Sequence, residues 1–525
     1  MNASPRSRRS VAAIAAVALA TPLLLASAGT ATADRGHGHG HGNPAKDAAK
    51  LARELVEDSS ARDAYRHLQK LQAIADANGG NRAAGSPGHD ASAKYVHDFL
   101  RKAGYKVSYD SFEFVYTETL AERLAVVSPT PRTIGITAMN YTKSTPVGGI
   151  KAAVAAVPVD ATTGCEPEDY ASGTFTGKIA LIKRGGCSFA QKQATAADAG
   201  ASGAIVYNNT EGVLSGTIGD PAAGRIPTGG ITLAEGEALA AEVAKGEVTV
   251  DFEIREFQEL RTTNNVIAET PGGNADNTVM LGAHLDSVTA GPGINDNGSG
   301  SAGLLEVAKE LAEETRHGKQ PRNKVKFAFW SAEENGLIGS EKWVEKLTEE
   351  QRADIRLYLN FDMIASPNYG QFVYDGDNSD GEGAEAGPEG SAQLERDINK
   401  FLDRKGKAHE GTDFDGRSDY GPFIAVGIPA GGTFTGAEGI KTAEQAAKFG
   451  GEAGVAYDKC YHAKCDDLSN ISMSAFGTNI DVIANAVGTY AHDLSSLTRP
   501  VTPESTTGGD SGSGGLHSDH HRVAE

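Results

Sequence analysis

Hydrophobic positions along the chain fall into three patterns. From about Ala45 onward, Leu51, Leu55, Tyr65, Leu68 and Leu71 recur at the spacing of a helical face, and a second helix ends near Gly104. Tyr105 to Phe114, YKVSYDSFEF, then reads as a strand. A middle block, roughly Ala125 to Phe252, is rich in Ala, Gly, Val and Thr. Within it GKIALIKRGGCSFAQKQATAADAGASGAIVYNN reads strand, turn, amphipathic helix, strand. In the third block, about Thr263 to Leu497, short apolar runs alternate with helices. The runs are VMLGAH (279–284), KVKFAFW (324–330) and LYLNFD (357–362). Between the first two, SGSAGLLEVAKELAEE (299–314) carries Leu304, Leu305, Ala308 and Leu311 on one helical face. Near-continuous apolar strands separated by helices predict an α/β fold, a mainly parallel central sheet flanked by helices. Ligands of such sheets bind at the carboxyl ends of the strands.

The two ends of the chain read differently. Arg6, Arg8 and Arg9 precede a small-residue apolar run from Val11 to Ala28, and Ala31-Thr32-Ala33 supplies a cleavage signal, so residues 1–33 read as a signal peptide. Pro22 interrupts the run and no stop-transfer pattern follows, which favours export over a membrane anchor. Residues 34–44 alternate Gly with His37, His39 and His41, and the Ser/Gly/Thr-rich tail from 499 to 525 holds His517, His520 and His521; neither composition packs. The GDSG string at Gly509–Gly512 lies in that tail and is discarded as a serine-protease signal.

At 525 residues, with 39% AVILMFWYC and 64 glycines, the chain has ample core for two or three domains, which rules out wholesale disorder. Its formal charge is −20, and loss of the three leader arginines takes it to −23. So acidic a surface excludes phosphate-backbone binding and points to a soluble monomer, and the leader with no other long apolar span adds a secreted protein with no nucleic-acid or membrane partner. Export permits disulfides; the four cysteines cluster as Cys165 with Cys187 and Cys460 with Cys465, and pairing within clusters is the simplest of three connectivities.

The polar residues that could do chemistry sit where the strands end. His284 and Asp286 follow the first run, Glu333 and Glu334 the second, and Asp362 the third. Asp296 lies in the loop GINDNGSGSAG, and His462 in YDKCYHAKCDD. Each is commonplace alone: paired glutamates favour a helix N-terminus, and an aspartate caps. Together, histidine and carboxylate donors without thiolate suit Zn²⁺ or a similar divalent ion in an open, catalytic site. Five carboxylates and two histidines exceed the needs of one zinc, and two ions about 3.5–4 Å apart, sharing one carboxylate, account for them better. Acidic Gly376 to Glu389 is compatible with Ca²⁺ but lacks EF-hand spacing, and reads better as a solvated loop at the cleft rim. His67, His97 and His317 read as surface residues.

The middle-block segment is similar to the protease-associated domain. AHLDSVTAGPGINDNGSGSAG, FWSAEENGLIGS, NFDMIAS and CYHAKC resemble the co-catalytic zinc aminopeptidase family, with its secreted Streptomyces and Vibrio leucyl-type enzymes and the yeast vacuolar aminopeptidase. The resemblance implies a zinc-exopeptidase domain in two parts, 45–124 and 256–498, interrupted by a protease-associated domain at 125–255. It implies Asp296 as the bridge between two zincs, one held also by His284 and Asp362, the other by Glu334 and His462. Glu333 is then the general base, Asp286 orients His284, and Tyr461 stabilises the oxyanion. Arg417 in FDGRSDYGPF is implied to contact substrate, and Met363 and Phe434 to line an apolar pocket for the first side chain. The expected reaction is removal of an N-terminal, apolar, leucine-like residue from peptides. The rival readings are a glutamate-carboxypeptidase-like or glutaminyl-cyclase-like enzyme and a non-catalytic receptor relative.

Overall fold

The computed structural model describes residues 43–210, 212–381 and 383–501. The signal peptide, the His/Gly run up to residue 42 and the tail beyond 501 lie outside them. The first helices follow the sequence closely. Asn43 caps Pro44–Asp58, Ser60 caps Ala61–Ala77 and Ser86 caps Pro87–Ala103, each through a side-chain oxygen on free N–H groups of the first turn. Gly104, at φ +111°, closes the third helix in the left-handed conformation that favours glycine. One sequence expectation fails here. His67 is buried on the same stripe as Ala64, Leu68 and Leu71, its Nδ1 2.6 Å from the Tyr95 hydroxyl.

The expected strand after Tyr105 runs much further, from Lys106 to Ser128, antiparallel to Thr249–Glu269 over almost its whole length. These two arms run on through the expected domain boundaries, with a bulge at Leu120 where the pairing passes Arg255 and Glu256. Beyond their far ends lies the middle block. Four parallel strands, Ile150–Ala156, Ile179–Lys183, Gly203–Tyr207 and Thr228–Ile231, run with helix Phe189–Asp198 between the second and third and helix Leu233–Val243 after the fourth. Cys165–Cys187 closes a loop here, and Cys460–Cys465 closes one in the other half.

At the near end of the arms lies the sheet of the third block. From its outer edge the strands are Glu410–Thr412, Phe372–Tyr374, Ala430–Phe434, Ile355–Phe361, Asn274–His284 and Asn323–Trp330, followed by Thr249–Glu269. Ile355–Phe361, Asn274–His284 and Asn323–Trp330 are mutually parallel, and the arm is antiparallel to its neighbour. One face is covered by the three N-terminal helices with Gly300–Arg316, Ser391–Arg404 and Met473–Tyr490. On the other, Trp330, Tyr358, Tyr420 and Phe423 form a smaller aromatic core, with Tyr358 and Phe423 stacked at 3.8 Å. The register sets His284 opposite Trp330 and Gly282 opposite Asn360, so the residues that follow these strands emerge at one level. Among the described residues no helix is long and apolar enough to cross a membrane.

Candidate metal centre

Three loops at that level, together with the Cys460–Cys465 loop, carry the chemistry. After His284 the chain runs through 285–299 before helix Gly300–Arg316; the Asp296–Asn297 peptide is cis, and Asp296 lies outside helical φ/ψ in an otherwise tight turn. Gly300 allows the helix to start against the neighbouring strand: a Cβ there would sit 2.0 Å from the Phe361 carbonyl. Asn297 stitches the same contact, donating to Phe361 O at 3.0 Å and accepting from Gly300 N at 2.9 Å. Four non-glycine residues at the site adopt the left-handed conformation: Ala332 before Glu333, Leu337 at the cleft wall, Met363 after Asp362, and His462 itself. Each costs of order 1–2 kcal/mol, so the surrounding packing holds these turns against their preference.

The side chains converge. Asp296 Oδ1 is 3.2 Å from His284 Nε2, and its Oδ2 is 3.2 Å from His462 Nε2. Asp362 Oδ1 approaches His284 Nε2 at 3.2 Å, and Glu334 Oε2 approaches His462 Nε2 at 3.0 Å. Glu333 stands slightly back, its Oε2 3.8 Å from His284 Nε2. The far nitrogen of His284 faces the Asp286 main-chain carbonyl at 3.2 Å and the Asp286 carboxylate at 3.7 Å. Tyr461 stacks on His462 with ring centroids 3.8 Å apart, and its hydroxyl oxygen accepts from Arg417 Nη2 at 3.2 Å. Glu438 holds the other side of that guanidinium at 3.0 Å. Met363, Arg417 and Phe434 line the same cleft as Asp296, Glu333, Glu334, Asp362, Tyr461 and His462.

The electrostatics are those of a cation site. Burial works against a charged His284, yet Asp362 and Glu333 outweigh it and raise its pKa well above the ordinary value. His462 rises to about 11, burial again being overcome, chiefly by Glu334 and Asp296. Burial, reinforced by neighbouring Asp362 and Asp419 despite His284, pushes the Glu333 carboxyl well up. Glu334 Oε1 and Asp362 Oδ1 are buried and accept no hydrogen bond. Buried carboxylate oxygens of that kind fit a divalent cation, and the nitrogen and oxygen donor set fits zinc. Sequence reasoning missed several supporting residues. Ser418 donates to Asp362 Oδ2 at 2.6 Å, Asp419 is buried behind it, and Arg82 and Asp466 reach the Asp296 loop from outside the motifs. Ser418 and Asp419 were signalled by their place beside Arg417 and Asp466 by its place beside Cys465; Arg82, lone in NRAAGSPG, carries no signal.

A mainly parallel α/β sheet with clustered carboxylates and histidines at its carboxyl edge defines a metal-dependent hydrolase. Comparison with known proteins specifies which. The Peptidase family M28 profile matches residues 265–487 and the PA domain profile residues 150–239. The chain is 45% identical over 443 residues to leucine aminopeptidase 2 of Trichophyton tonsurans, covering 84% of this chain and 86% of that one. It is 46% identical over 439 residues to an aminopeptidase of Pseudomonas aeruginosa PAO1, covering 81% and 80%. Among solved structures it is similar to an aminopeptidase from Aneurinibacillus sp. strain AM-1, with TM-score 0.66, 28% identity and coverage of 83% and 95%. It is also similar to a zinc aminopeptidase from Bacillus subtilis, with TM-score 0.54, 25% identity and coverage of 82% and 94%. The chain belongs to peptidase family M28 and is a zinc aminopeptidase with an inserted PA domain, acting on peptides.

Proposed function

We propose that the protein is a secreted aminopeptidase with two zinc ions that removes an apolar, leucine-like N-terminal residue. The observation that carries the two-ion reading is Asp296, whose two carboxylate oxygens face two different histidines at equal distances of 3.2 Å. His284 and Asp362 would hold one ion, and His462 and Glu334 the other. Zinc bound there supplies a water of lowered pKa and a polarised scissile carbonyl.

The remaining steps belong to the chain's own side chains. Glu333, buried beside the donor cluster with its basicity raised, takes the proton of the attacking water and returns it to the leaving amine. Asp286 presents two acceptors to the far nitrogen of His284 and so holds the ring with Nε2 toward the cluster. Because Arg417 donates to the Tyr461 oxygen, the phenol proton is free to point at the developing oxyanion. Met363 and Phe434 offer apolar surface for the first side chain. Calcium is no part of this reading. Export rests on the leader-like residues 1–33.

The test is hydrolysis of leucine p-nitroanilide by the mature protein before chelation, after it, and after zinc restoration, with the N-acetylated substrate as control. Activity on the free amine alone, lost with chelator and restored by zinc at two equivalents, is the expected result. Activity that saturates at one equivalent overturns the two-ion reading, and a faster rate on cationic than on leucyl substrates overturns the apolar preference.

A further inference from the structure

Asp296 sits on a loop with no ladder of its own. Between His284 and helix Gly300–Arg316 the chain pairs with no strand, and Asp296 and Asn297 depart from helical geometry. A carboxylate that must present each oxygen to a different ion tolerates little displacement, about half an ångström. Something outside the loop has to hold it.

Two buried residues of opposite charge do so, from opposite sides. Arg82, fully buried between the second and third helices, spends its guanidinium on main-chain carbonyls of the loop. Its Nε donates to Pro292 O at 2.8 Å, Nη2 to Gly293 O at 2.5 Å, and Nη1 to Leu285 O. Its own main chain exchanges two hydrogen bonds with Ser287. Asp466 takes the N–H groups that follow. Its Oδ1 accepts from Asn295 N at 2.8 Å and its Oδ2 from Asp296 N at 3.0 Å, while its main-chain oxygen accepts from Ile294 N at 3.1 Å. Asn470 steadies the carboxylate, donating to Oδ1 at 3.0 Å and also to Asp458. Asp466 directly follows Cys465, in the loop that bears His462, so the segment carrying one proposed ligand grips the segment carrying another.

We infer that Arg82 and Asp466 are positioning residues for Asp296: the guanidinium fork holds the loop by its carbonyls, the carboxylate holds it by its N–H groups, and together they set the zinc affinity of the centre. Only arginine has a planar fork able to serve three carbonyls at once, and only a carboxylate has two acceptors for consecutive N–H groups. The inference rests on the proposed reading of Asp296 as the shared ligand.

The experiment measures zinc affinity of the full mature chain by competition with a chromogenic chelator, alongside melting of the zinc-free protein and kcat and KM at saturating zinc. Asp466→Asn replaces one acceptor by an amide that repels the N–H it faced; Arg82→Lys keeps the charge and loses the fork. Each is expected to weaken zinc binding by about tenfold to hundredfold, and to lower kcat while leaving KM within about twofold. A merely structural role predicts instead a lower melting temperature with unchanged zinc affinity of the folded protein, and that result overturns the inference. If either variant fails to fold, Asn470→Ala, which removes only the steadying amide, is expected to lose zinc affinity by a few-fold; unchanged affinity there overturns it too. Asp296→Asn separates the two levels. Zinc loss in that variant, with none in Asp466→Asn and Arg82→Lys, defeats the clamp but keeps the site, whereas zinc retained in Asp296→Asn defeats the reading beneath it.

Discussion

The molecule holds two mainly parallel sheets built on the same plan, and both pair with the arm Thr249–Glu269. The middle sheet joins it through Ile150 opposite Phe252, and the peptidase sheet through Phe329 opposite Val266. Both alternate strands with helices and so present a carboxyl edge suited to ligands. In the peptidase sheet that edge carries His284, Glu333, Glu334 and Asp362. In the middle sheet it carries Lys183, Arg184 and Asn208, and Arg184 donates to Asn208 Oδ1 at 3.0 Å. Among the described residues, the clusters of His, Asp and Glu close enough to hold a metal ion all lie in the peptidase half. Topology therefore supplies the place, and the residues that close the strands decide whether chemistry occurs there.

That contrast can be broken most severely at Glu333. Glu333→Gln keeps size and hydrogen bonding but removes the proposed base, and is expected to lower kcat about 10²–10⁴-fold. Zinc content, measured by atomic absorption, should stay at the wild-type level. The two disulfides sharpen the comparison at the next level. Cys165–Cys187 spans 22 residues and Cys460–Cys465 spans 5, so loop entropy assigns them about 3 and about 2 kcal/mol of stability. Replacing the first pair by serine should cost more in denaturant unfolding yet leave kcat on leucine p-nitroanilide unchanged. Replacing the second should cost less stability but reduce kcat, because His462 lies inside the smaller ring.

The smallest effect lies away from both edges. Burial, with help from Lys309, lowers His67 from its ordinary 6.5 to about 4. The unfolded chain then binds the extra proton first, so the stability contributed by neutral His67 is complete above pH 6.5 and is lost as pH falls toward 4. Between pH 6 and 5 the loss should be about 1 kcal/mol, and His67→Phe should flatten that slope in denaturant melts followed by circular dichroism.

His67 also shows where sequence reading stops. Its position continues the buried spacing of Ala64, Leu68 and Leu71, but its polarity masks the pattern, and its partner Tyr95 lies on another helix. The donors of the candidate centre were legible because metal chemistry restricts residue type and the sheet restricts position. The peptidase strands were legible because burial on both faces leaves little but apolar residues. The arms were not: beyond Phe114 the run Thr117-Glu118-Thr119 is polar, and only the pairing with Gln258, Phe257 and Glu256 makes it a strand. Arg82 and Asp466 were hidden for a related reason. Their partners are main-chain groups, which leave no trace in side-chain pattern.

The arms carry one more consequence, for how such a chain is assembled and taken apart. Because Glu118 and Phe257 face each other in an antiparallel ladder that is regular from Lys106 up to them, everything between them is, topologically, the loop of a single hairpin. A two-residue Asn-Gly turn joining the arms at that point would close the ladder and excise the whole inserted module. The core behind the candidate metal centre, the Arg82 contacts and the loop of His462 all lie outside the excised span. A hairpin tip grown into a domain is an insertion that the peptidase can accept, or lose, without rethreading its sheet.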